Sequence, residues 1–312
     1  MRTNMIQWSN ESEKDIKSFK QRVLLHYSSN HPSSFKRDYY GVFKLLQGIS
    51  CDDTDYIPKV IGAGEIFDEG PEPYQLMHNG IKVVKDGYCG PWMRCLTYGL
   101  KGHHEPQEEK VFYEVLKAMP PKATMIELGS WWGYYSIWFA KQVSEPTNYL
   151  IEPDQNRMNL GQKNCAMNHV SAHFIRGYVV SKSTCDPGHC FDGANQIFID
   201  SFLKQNNIEH VNILHSDIQG LEYDMLRSCI NAIQLGKIDY FIISTHSEQI
   251  HQACLQFLLS VDYTIVAEHT IAESFTYDGL VVAKRKNVPG PTHIDISKAG
   301  RTIVKEVRMD FN

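Results

Sequence analysis

Short apolar runs and segments of helical spacing alternate along the chain from residue 124 to residue 245. The apolar runs predict strands over 125–128, 149–151, 173–176, 211–215 and 240–244. Between them, apolar residues recur three and four positions apart, which predicts helices over 134–143, 155–168, 201–206 and 222–232. Strands that alternate with helices are typical of a parallel sheet with helices on both faces, so the pattern predicts a doubly wound α/β fold.

The end of this region departs from the alternation. Two strand-like runs, TIVAE (264–268) and GLVVAK (279–284), are separated by only ten residues. A parallel crossover helix barely fits a connection of that length, so an antiparallel hairpin is the expected closure of the sheet. The complete prediction is a Rossmann-like, seven-stranded, mostly parallel sheet with an antiparallel last strand.

The region before residue 105 lacks this rhythm. Helical spacing predicts helices over 11–27 and 34–47, and Asn79-Gly80 between two alternating runs predicts a tight hairpin. A further helix is expected to begin near Pro106 and to end at Pro120-Pro121. We therefore predict an N-terminal α+β region over 1–104, a Rossmann-like domain over 105–285 and a C-terminal extension over 286–312.

Composition narrows the functional classes. The 312 residues are 42% hydrophobic with a net charge of -5, so a large core is expected and a general nucleic-acid binder, which needs an excess of Lys and Arg, is not. The sequence has no signal-peptide pattern and no apolar run near the ~20 residues that a membrane helix needs. We expect a cytoplasmic protein without nucleic-acid partners or a membrane span, with its eight cysteines reduced.

The segment ATMIELGSWWGYYS, residues 123–136, predicts a cofactor site. It places a strand, a turn with Gly129 and Gly133, and the start of a helix in the order in which nucleotides are held. The G-x-x-x-G spacing differs from the G-x-G-x-x-G of dinucleotide folds, and an ordinary tight turn is the alternative. Glu152 ends the next strand, 25 residues after Glu127, where a ribose-binding carboxylate is expected. Glu127 needs a cationic partner if it is buried, either a ligand amine or a basic side chain.

Three polar residues follow the next strands in the same way. Asp217 and Glu222 lie in HSDIQGLEYDML after one strand, and His246 follows the strand that ends in STHS. The alternatives for the two carboxylates are a helix cap and a first-turn charge. Together with His246 they form either a general base for catalysis or a hard-cation site for Mg²⁺.

Other histidine, cysteine and tryptophan residues are less informative. Cys185 and Cys190 with His189 lack the spacing of a zinc site, because no C-x-x-C pair is present. His103 and His104 are expected to be exposed loop residues. Trp131 and Trp132 either shield a cofactor or pack in the core.

Three sequence blocks across residues 107–285 resemble the FkbM family of S-adenosylmethionine-dependent methyltransferases. The blocks are IELGSWWGYYS, FIDSFLKQNNIEHVNILHSDIQGLEYDML and FIISTHS. The resemblance implies the class I methyltransferase fold, in which the last strand is antiparallel. It also implies a cofactor site, in which Asp217 faces the transferring methyl group. The implied cofactor-binding residues are Glu127, Gly129, Ser130, Gly133, Tyr134 and Glu152.

The resemblance predicts an enzyme that methylates a hydroxyl group of a small molecule or glycan. Asp217 or His246 is the expected base, and Asp217, Glu222 and His246 are the expected ligands if Mg²⁺ assists. The sequence leaves two alternatives open, a binding module without catalysis and a nicotinamide-dependent oxidoreductase.

Overall fold

The computed structural model describes residues 7–29, 39–181 and 193–300. Cys185, His189 and Cys190 lie outside the described residues. The chain divides into two compact units. The described part of the first unit comprises residues 7–29, 39–113, 272–277 and 296–300, and that of the second unit comprises 114–181, 193–271 and 278–295.

The first unit combines helices with a small sheet. Its helices are α1 (Glu13–Ser29), α2 (Tyr39–Ser50), α3 (Gly90–Gly99) and the first part of α4 (Pro106–Leu116). Its antiparallel sheet contains β1 (Ile66–Phe67), β2 (Tyr74–Leu76) and β3 (Lys82–Val84) in that order. Buried side chains from α1, α2 and α3, among them Val23, Ile49 and Leu96, form its main apolar cluster.

The second unit is built on one eight-stranded sheet in the order β10-β11-β9-β8-β4-β5-β6-β7. Its strands are β4 (Thr124–Leu128), β5 (Thr147–Glu152), β6 (His173–Val179), β7 (Asn195–Ile197), β8 (Val211–Ser216), β9 (Ile238–Thr245), β10 (Tyr263–His269) and β11 (Gly279–Arg285). Strands β4 to β9 pair in parallel, and β11 lies antiparallel between β9 and β10.

The helices of the second unit connect these strands. They are α5 (Tyr134–Gln142), α6 (Gln155–Met167), α7 (Ile199–Gln205), α8 (Glu222–Ser228), α9 (Ile230–Gln234) and α10 (Glu248–Ser260). Asp154 caps α6 by accepting hydrogen bonds from the N–H groups of Asn156 and Arg157, and Ser247 caps α10 through the N–H of Ile250. Every residue of β8 and of β9 is buried, as expected of central parallel strands.

The predicted fold class is confirmed, with one strand more than the seven expected. The additional strand, β7, has only three residues, which is too short to produce a hydrophobic period. Helices α3 and α10 were not predicted, and the single helix expected over 222–232 is divided at Cys229 into α8 and α9. The hairpin predicted at Asn79-Gly80 is present, because β2 and β3 pair antiparallel on either side of it.

The sequence predicted three functional domains, over 1–104, 105–285 and 286–312. The two compact units do not test this three-part division, so it stays a prediction. Across the part of the chain that the structure describes, no helix combines the length and the apolar character required to cross a membrane.

Phe241 tests the energetic role of the central sheet. It lies on β9, is fully buried and belongs to a large apolar cluster of the second unit. We expect Phe241→Ala to lower the free energy of unfolding by about 3–5 kcal/mol, because it removes buried contacts and leaves a cavity. Leu235→Ala is the matched control, since Leu235 is 70% exposed, and it should change stability by less than about 0.5 kcal/mol. Urea unfolding measures the stability of both variants. Equal losses of unfolding free energy would contradict the role assigned to the buried ring of Phe241.

Candidate functional site

A cavity opens at the carboxyl ends of the parallel strands of the second unit. Gly129, Glu152 and Asp217, each predicted from the sequence as a site residue, line it. They follow or end β4, β5 and β8, which are neighbours in the sheet. Apolar and aromatic groups complete the lining, among them Trp131 and Tyr178. Such a cavity at this edge of a doubly wound sheet is the usual place for a ligand.

Gly129 brings two of these loops into direct contact. Its backbone has φ +72°, and a Cβ at this position would lie 1.8 Å from the carbonyl oxygen of Asp217. The N–H of Asp217 in turn donates a hydrogen bond of 2.9 Å to the carbonyl of Leu128. No side chain fits between the two loops, so this position requires glycine.

The other residues predicted for the cofactor turn shape the backbone of the turn and do not line the cavity. Glu127 is buried, and its carboxylate accepts a 3.0 Å hydrogen bond from the N–H of Ser136 in the first turn of α5. Gly133, with φ +70°, precedes that helix. Among the described residues, the cavity lining does not include Glu127, Ser130, Gly133 or Tyr134. These four residues shape the turn, and their contact with a cofactor stays a prediction.

Glu152 is positioned to accept hydrogen bonds from hydroxyl groups of a ligand. Its side chain is almost fully buried, and its two oxygens accept hydrogen bonds from the N–H groups of Trp131, at 3.1 Å, and Asp154, at 2.9 Å. Burial raises the pKa of this carboxyl above its ordinary value. Each carboxylate oxygen can accept more than one hydrogen bond, so the two backbone contacts orient the group without exhausting it.

The two tryptophans of the turn have different surroundings. Trp131 lines the cavity, and the guanidinium of Arg157 lies 3.8 Å from its ring centroid in a cation–π contact. Trp132 is buried and stacks on Tyr134, with ring centroids 5.2 Å apart. The first therefore forms a wall of the cavity, whereas the second packs in the core.

Next to the cavity, three carboxylates surround one imidazole. The Nδ1 atom of His246 lies 2.7 Å from Glu222 Oε1, and its Nε2 atom lies 3.2 Å from Asp217 Oδ1 and 3.5 Å from Asp278 Oδ1. The amide nitrogen of Gln219 lies 3.1 Å from Asp217 Oδ1, to which it donates, and 2.7 Å from His246 Nε2, with which it forms no hydrogen bond when the ring is charged. The structure thus brings together all three residues that the sequence predicted for catalysis.

The sheet topology explains how these side chains meet. Strands β8 and β9 are parallel neighbours, so Asp217 and His246 follow adjacent strand ends, and Glu222 begins α8. Asp278 arrives from another direction. The antiparallel pairing of Gly279 with Thr245 places the preceding residue, Asp278, beside His246. The sequence analysis missed Asp278, because only the register of β11 on β9 shows its position.

The charges of the cluster fix its protonation. Burial disfavours a charged ring, yet the hydrogen bonds to Asp217 and Glu222 and the charge of Asp278 raise the pKa of His246 to about 10. Burial also opposes the ionised form of Asp217, but its hydrogen bond with His246 and the charge of that ring lower the pKa of the carboxyl. At neutral pH the pair is therefore an imidazolium and a carboxylate.

The geometry does not support a Mg²⁺ ion held by Asp217, Glu222 and His246. Asp217 and Glu222 contact different nitrogens of the imidazole ring, and the ring stands between them. Among the described residues, these three side chains do not bring their ligand atoms within 4.8 Å of one another, whereas His78, His103 and Glu109 do. The three predicted ligands do not converge on one point in this arrangement, so their binding of Mg²⁺ stays a prediction.

His103 and His104 differ from their predicted environment. Both were expected to be exposed, but both are buried, with 0% and 1% exposure. The reason is Glu109 on the first turns of α4, whose carboxylate lies 2.6 Å from His103 Nδ1 and 2.7 Å from His104 Nδ1. The buried carboxylate supplies the partners that allow two polar rings to leave water.

Comparisons with known proteins bear on this unit. Residues 123–265 match the family model of the methyltransferase FkbM domain. No curated protein matches the chain. Among solved structures, TrmK of M. capricolum in complex with S-adenosylhomocysteine is 16% identical, over 60% of this chain and 71% of that chain, with a TM-score of 0.38.

Two further solved structures resemble the chain at similar levels. Precorrin-6y C5,15-methyltransferase from Geobacter metallireducens is 9% identical, over 57% of this chain and 88% of that chain, with a TM-score of 0.40. The ribosomal protein L11 methylase from Lactobacillus delbrueckii is 14% identical, over 59% and 80% of the two chains, with a TM-score of 0.39.

The raised pKa of His246 predicts a pH-dependent stability. The folded state holds this proton up to about pH 10, whereas the unfolded chain releases it near pH 6.5. The stabilisation is therefore complete below pH 6.5 and is lost as the pH rises from there towards 10. We expect the difference in unfolding free energy between wild type and His246→Asn to shrink across this window, as measured by urea unfolding.

A direct titration controls this expectation. A histidine ring titration by NMR on the wild-type protein gives the pKa directly. A ring of His246 that titrates near pH 6.5 would refute the imidazolium assignment.

Proposed function

We propose the reaction from the match of residues 123–265 to the family model of the methyltransferase FkbM domain, the family that the sequence blocks resemble. The proposed reaction is transfer of the methyl group of S-adenosylmethionine to a hydroxyl group of a small molecule or glycan. The observation that carries the proposal is the position of Asp217. Asp217 lines the cavity of the second unit. Its carboxylate lies 3.2 Å from His246 Nε2 in the adjacent charged cluster.

The cavity has the chemistry that a nucleoside cofactor requires. The buried Glu152 carboxylate is a suitable acceptor for the two ribose hydroxyls, and the glycine at position 129 lets the ligand approach the backbone closely. Leu128, Tyr178 and Val179 add apolar surface on which an adenine ring can pack. Glu127, Ser130, Gly133 and Tyr134 support this site by shaping the turn in front of α5.

S-adenosylmethionine, when bound, would supply an activated methyl group: the acceptor oxygen would form a bond to the methyl carbon as the carbon–sulfur bond breaks and the electron pair stays on the sulfur of S-adenosylhomocysteine. Because the sulfonium is already an activated leaving group, alignment in a site that excludes water is the main task of the protein. Such alignment is worth about 7–11 kcal/mol in favourable cases.

The charges of the cluster assign the roles of its side chains. Asp217 is the proposed base, because its carboxylate is ionised and its residue lines the cavity in which the acceptor would bind. His246 cannot take this role at neutral pH, because it already carries its proton. It instead orients the Asp217 carboxylate, while Glu222 fixes the other ring nitrogen at 2.7 Å. The proposed mechanism needs no Mg²⁺, since the charged side chains hold one another.

The proposed acceptor is uncharged or weakly charged. The net charge of -5 and the three carboxylates around His246 disfavour a polyanion such as RNA at this site. A binding module without catalysis remains the alternative of another class, and a nicotinamide-dependent oxidoreductase is a third. Assays of cofactor binding and of turnover distinguish the three.

Cofactor binding tests the first part of the proposal. We expect S-adenosylhomocysteine to bind the wild-type protein and to raise its melting temperature, and NAD to have no effect. Glu152→Gln should weaken S-adenosylhomocysteine binding by roughly 10- to 100-fold in calorimetry, because a charged acceptor for the ribose is lost. The control is Glu145→Gln, since Glu145 is a surface residue with an exposed side chain. Binding of NAD in place of S-adenosylhomocysteine would favour the oxidoreductase.

Turnover tests the second part. We expect Asp217→Asn to lower the rate of methyl transfer by about 10²- to 10⁴-fold, because it removes the base. The assay measures S-adenosylhomocysteine release with panels of sugars, other small hydroxylated molecules and RNA. Asp262→Asn is the control, since Asp262 is largely exposed and pairs with Lys286 at the end of the β10–β11 pair opposite to Asp278.

Three results contradict the proposed role of Asp217 or the proposed reaction. A wild-type rate in Asp217→Asn would remove Asp217 as the base. Cofactor binding without turnover on any acceptor would favour the binding module. Methylation of RNA but of no small hydroxylated molecule would overturn the proposed acceptor class.

A further inference from the structure

A second cluster of polar side chains lies in the first unit, where the proposed methyl transfer does not use it. His78 follows β2, His103 precedes α4, and Glu109 lies within α4. All three are buried, with 2%, 0% and 0% exposure. Two imidazoles and one carboxylate in such a position form one of the ligand sets by which proteins bind zinc.

The ligand atoms are close enough for one ion. Glu109 Oε2 lies 2.6 Å from His103 Nδ1 and 3.8 Å from His78 Nδ1, and the three side chains offer ligand atoms that are all within 4.8 Å of one another. Zinc lies about 2.0–2.2 Å from nitrogen and oxygen ligands, so two of its ligands are separated by at most about 4.3 Å. A rotation of one imidazole ring, together with small shifts of the side chains, would bring the three atoms to one ion.

Contacts within the cluster reach only one ring nitrogen of His103. Its Nδ1 atom faces Glu109, but its Nε2 atom is buried and has no hydrogen-bond partner among the described residues. A polar atom left in this state is costly. The protein side chains therefore satisfy this buried imidazole only in part.

The backbone around the cluster holds it in place. Gly102 has φ +89°, and a Cβ there would lie 2.2 Å from the backbone nitrogen of His78, whose N–H donates to the Gly102 carbonyl. The segments that carry His78 and His103 are thus in direct contact. The second oxygen of Glu109 accepts hydrogen bonds from the N–H groups of His104, at 2.7 Å, and Glu105, at 3.2 Å. Such outer contacts commonly orient a carboxylate that binds a metal.

From these contacts we propose that His78, His103 and Glu109 bind one zinc ion inside the first unit. The two imidazole rings stack with centroids 3.9 Å apart and planes at 17°. Since an ion lies in the plane of each ring that binds it, one ring turns about its Cβ–Cγ bond when zinc enters. The role of the ion is structural, because it joins the segment after β2 to α4 within a fully buried site.

Metal content tests the inference independently of methyl transfer. The full chain is treated with a chelator, dialysed against ZnSO₄ and then against metal-free buffer, and analysed by mass spectrometry for bound zinc. We expect about one zinc per wild-type chain and less than about 0.1 per chain in His103→Gln. A Co²⁺-loaded sample should show visible d–d absorption bands of a site with nitrogen and oxygen ligands in the wild type and none in the variant.

His251→Gln is the matched control. His251 is also a fully buried histidine, hydrogen-bonded through one ring nitrogen to Thr245 in the second unit, so its replacement perturbs a core without touching the cluster. We expect this variant to keep about one zinc per chain. Zinc should also raise the melting temperature of the wild type and of His251→Gln, and leave that of His103→Gln unchanged.

If His103→Gln does not fold, the wild-type protein decides the question alone. Less than about 0.1 zinc per chain and no thermal shift would then overturn the inference, and the cluster would be a hydrogen-bonded group around Glu109. Retention of zinc by a folded His103→Gln, including zinc held through Cys185 and Cys190, would overturn it as well. Neither result would affect the proposed methyl transfer, which rests on the second unit.

Discussion

The close approach of Gly129 to the backbone of Asp217 is the constraint on which the functional edge of the sheet depends. A Cβ at residue 129 would lie 1.8 Å from the Asp217 carbonyl, so the loops after β4 and β8 touch only because one of them has no side chain. This contact puts the two sides of the cavity next to each other. One side carries the turn that leads into α5, and the other carries the carboxylate of the charged cluster.

The charged cluster shows how burial and neighbouring charges define a chemical role. One imidazole stands among the carboxylates of Asp217, Glu222 and Asp278, and their attraction for its proton outweighs the effect of burial. The ring is therefore a cation, which leaves the carboxylate of Asp217 as the group able to accept a proton. The same arrangement places the ring between two carboxylates, so these side chains balance their charges without a metal ion.

The polar cluster around His246 and the polar cluster around Glu109 differ in the contacts that their side chains make. Around His246, both ring nitrogens face carboxylate oxygens within hydrogen-bond or ion-pair distance. Around Glu109, the carboxylate is amply satisfied, but His103 retains a buried nitrogen without a partner among the described residues. Glu222 Oε2 in the first group is also buried without such a partner, so what distinguishes the second group is that its three side chains bring ligand atoms within 4.8 Å of one another.

The sequence by itself determined the class of fold and the residues at its functional edge. The alternation of strands and helices depends on local spacing, and parallel strands place their carboxyl ends at one edge, which was enough to bring Glu152, Asp217 and His246 to one side of the sheet. The same local patterns identified Glu222 at the start of a helix.

Only the tertiary structure decided what these residues do together. The register of β11 on β9 brings Asp278 to His246 from 32 positions away in the chain, as the residue numbers show, and no local pattern encodes that register. The protonation of His246 and the burial of His103 likewise depend on charges and packing supplied by segments distant in sequence. Hydrophobic periodicity reports which face of an element is covered, but a pKa and a ligand set depend on which distant groups the fold brings within a few ångströms.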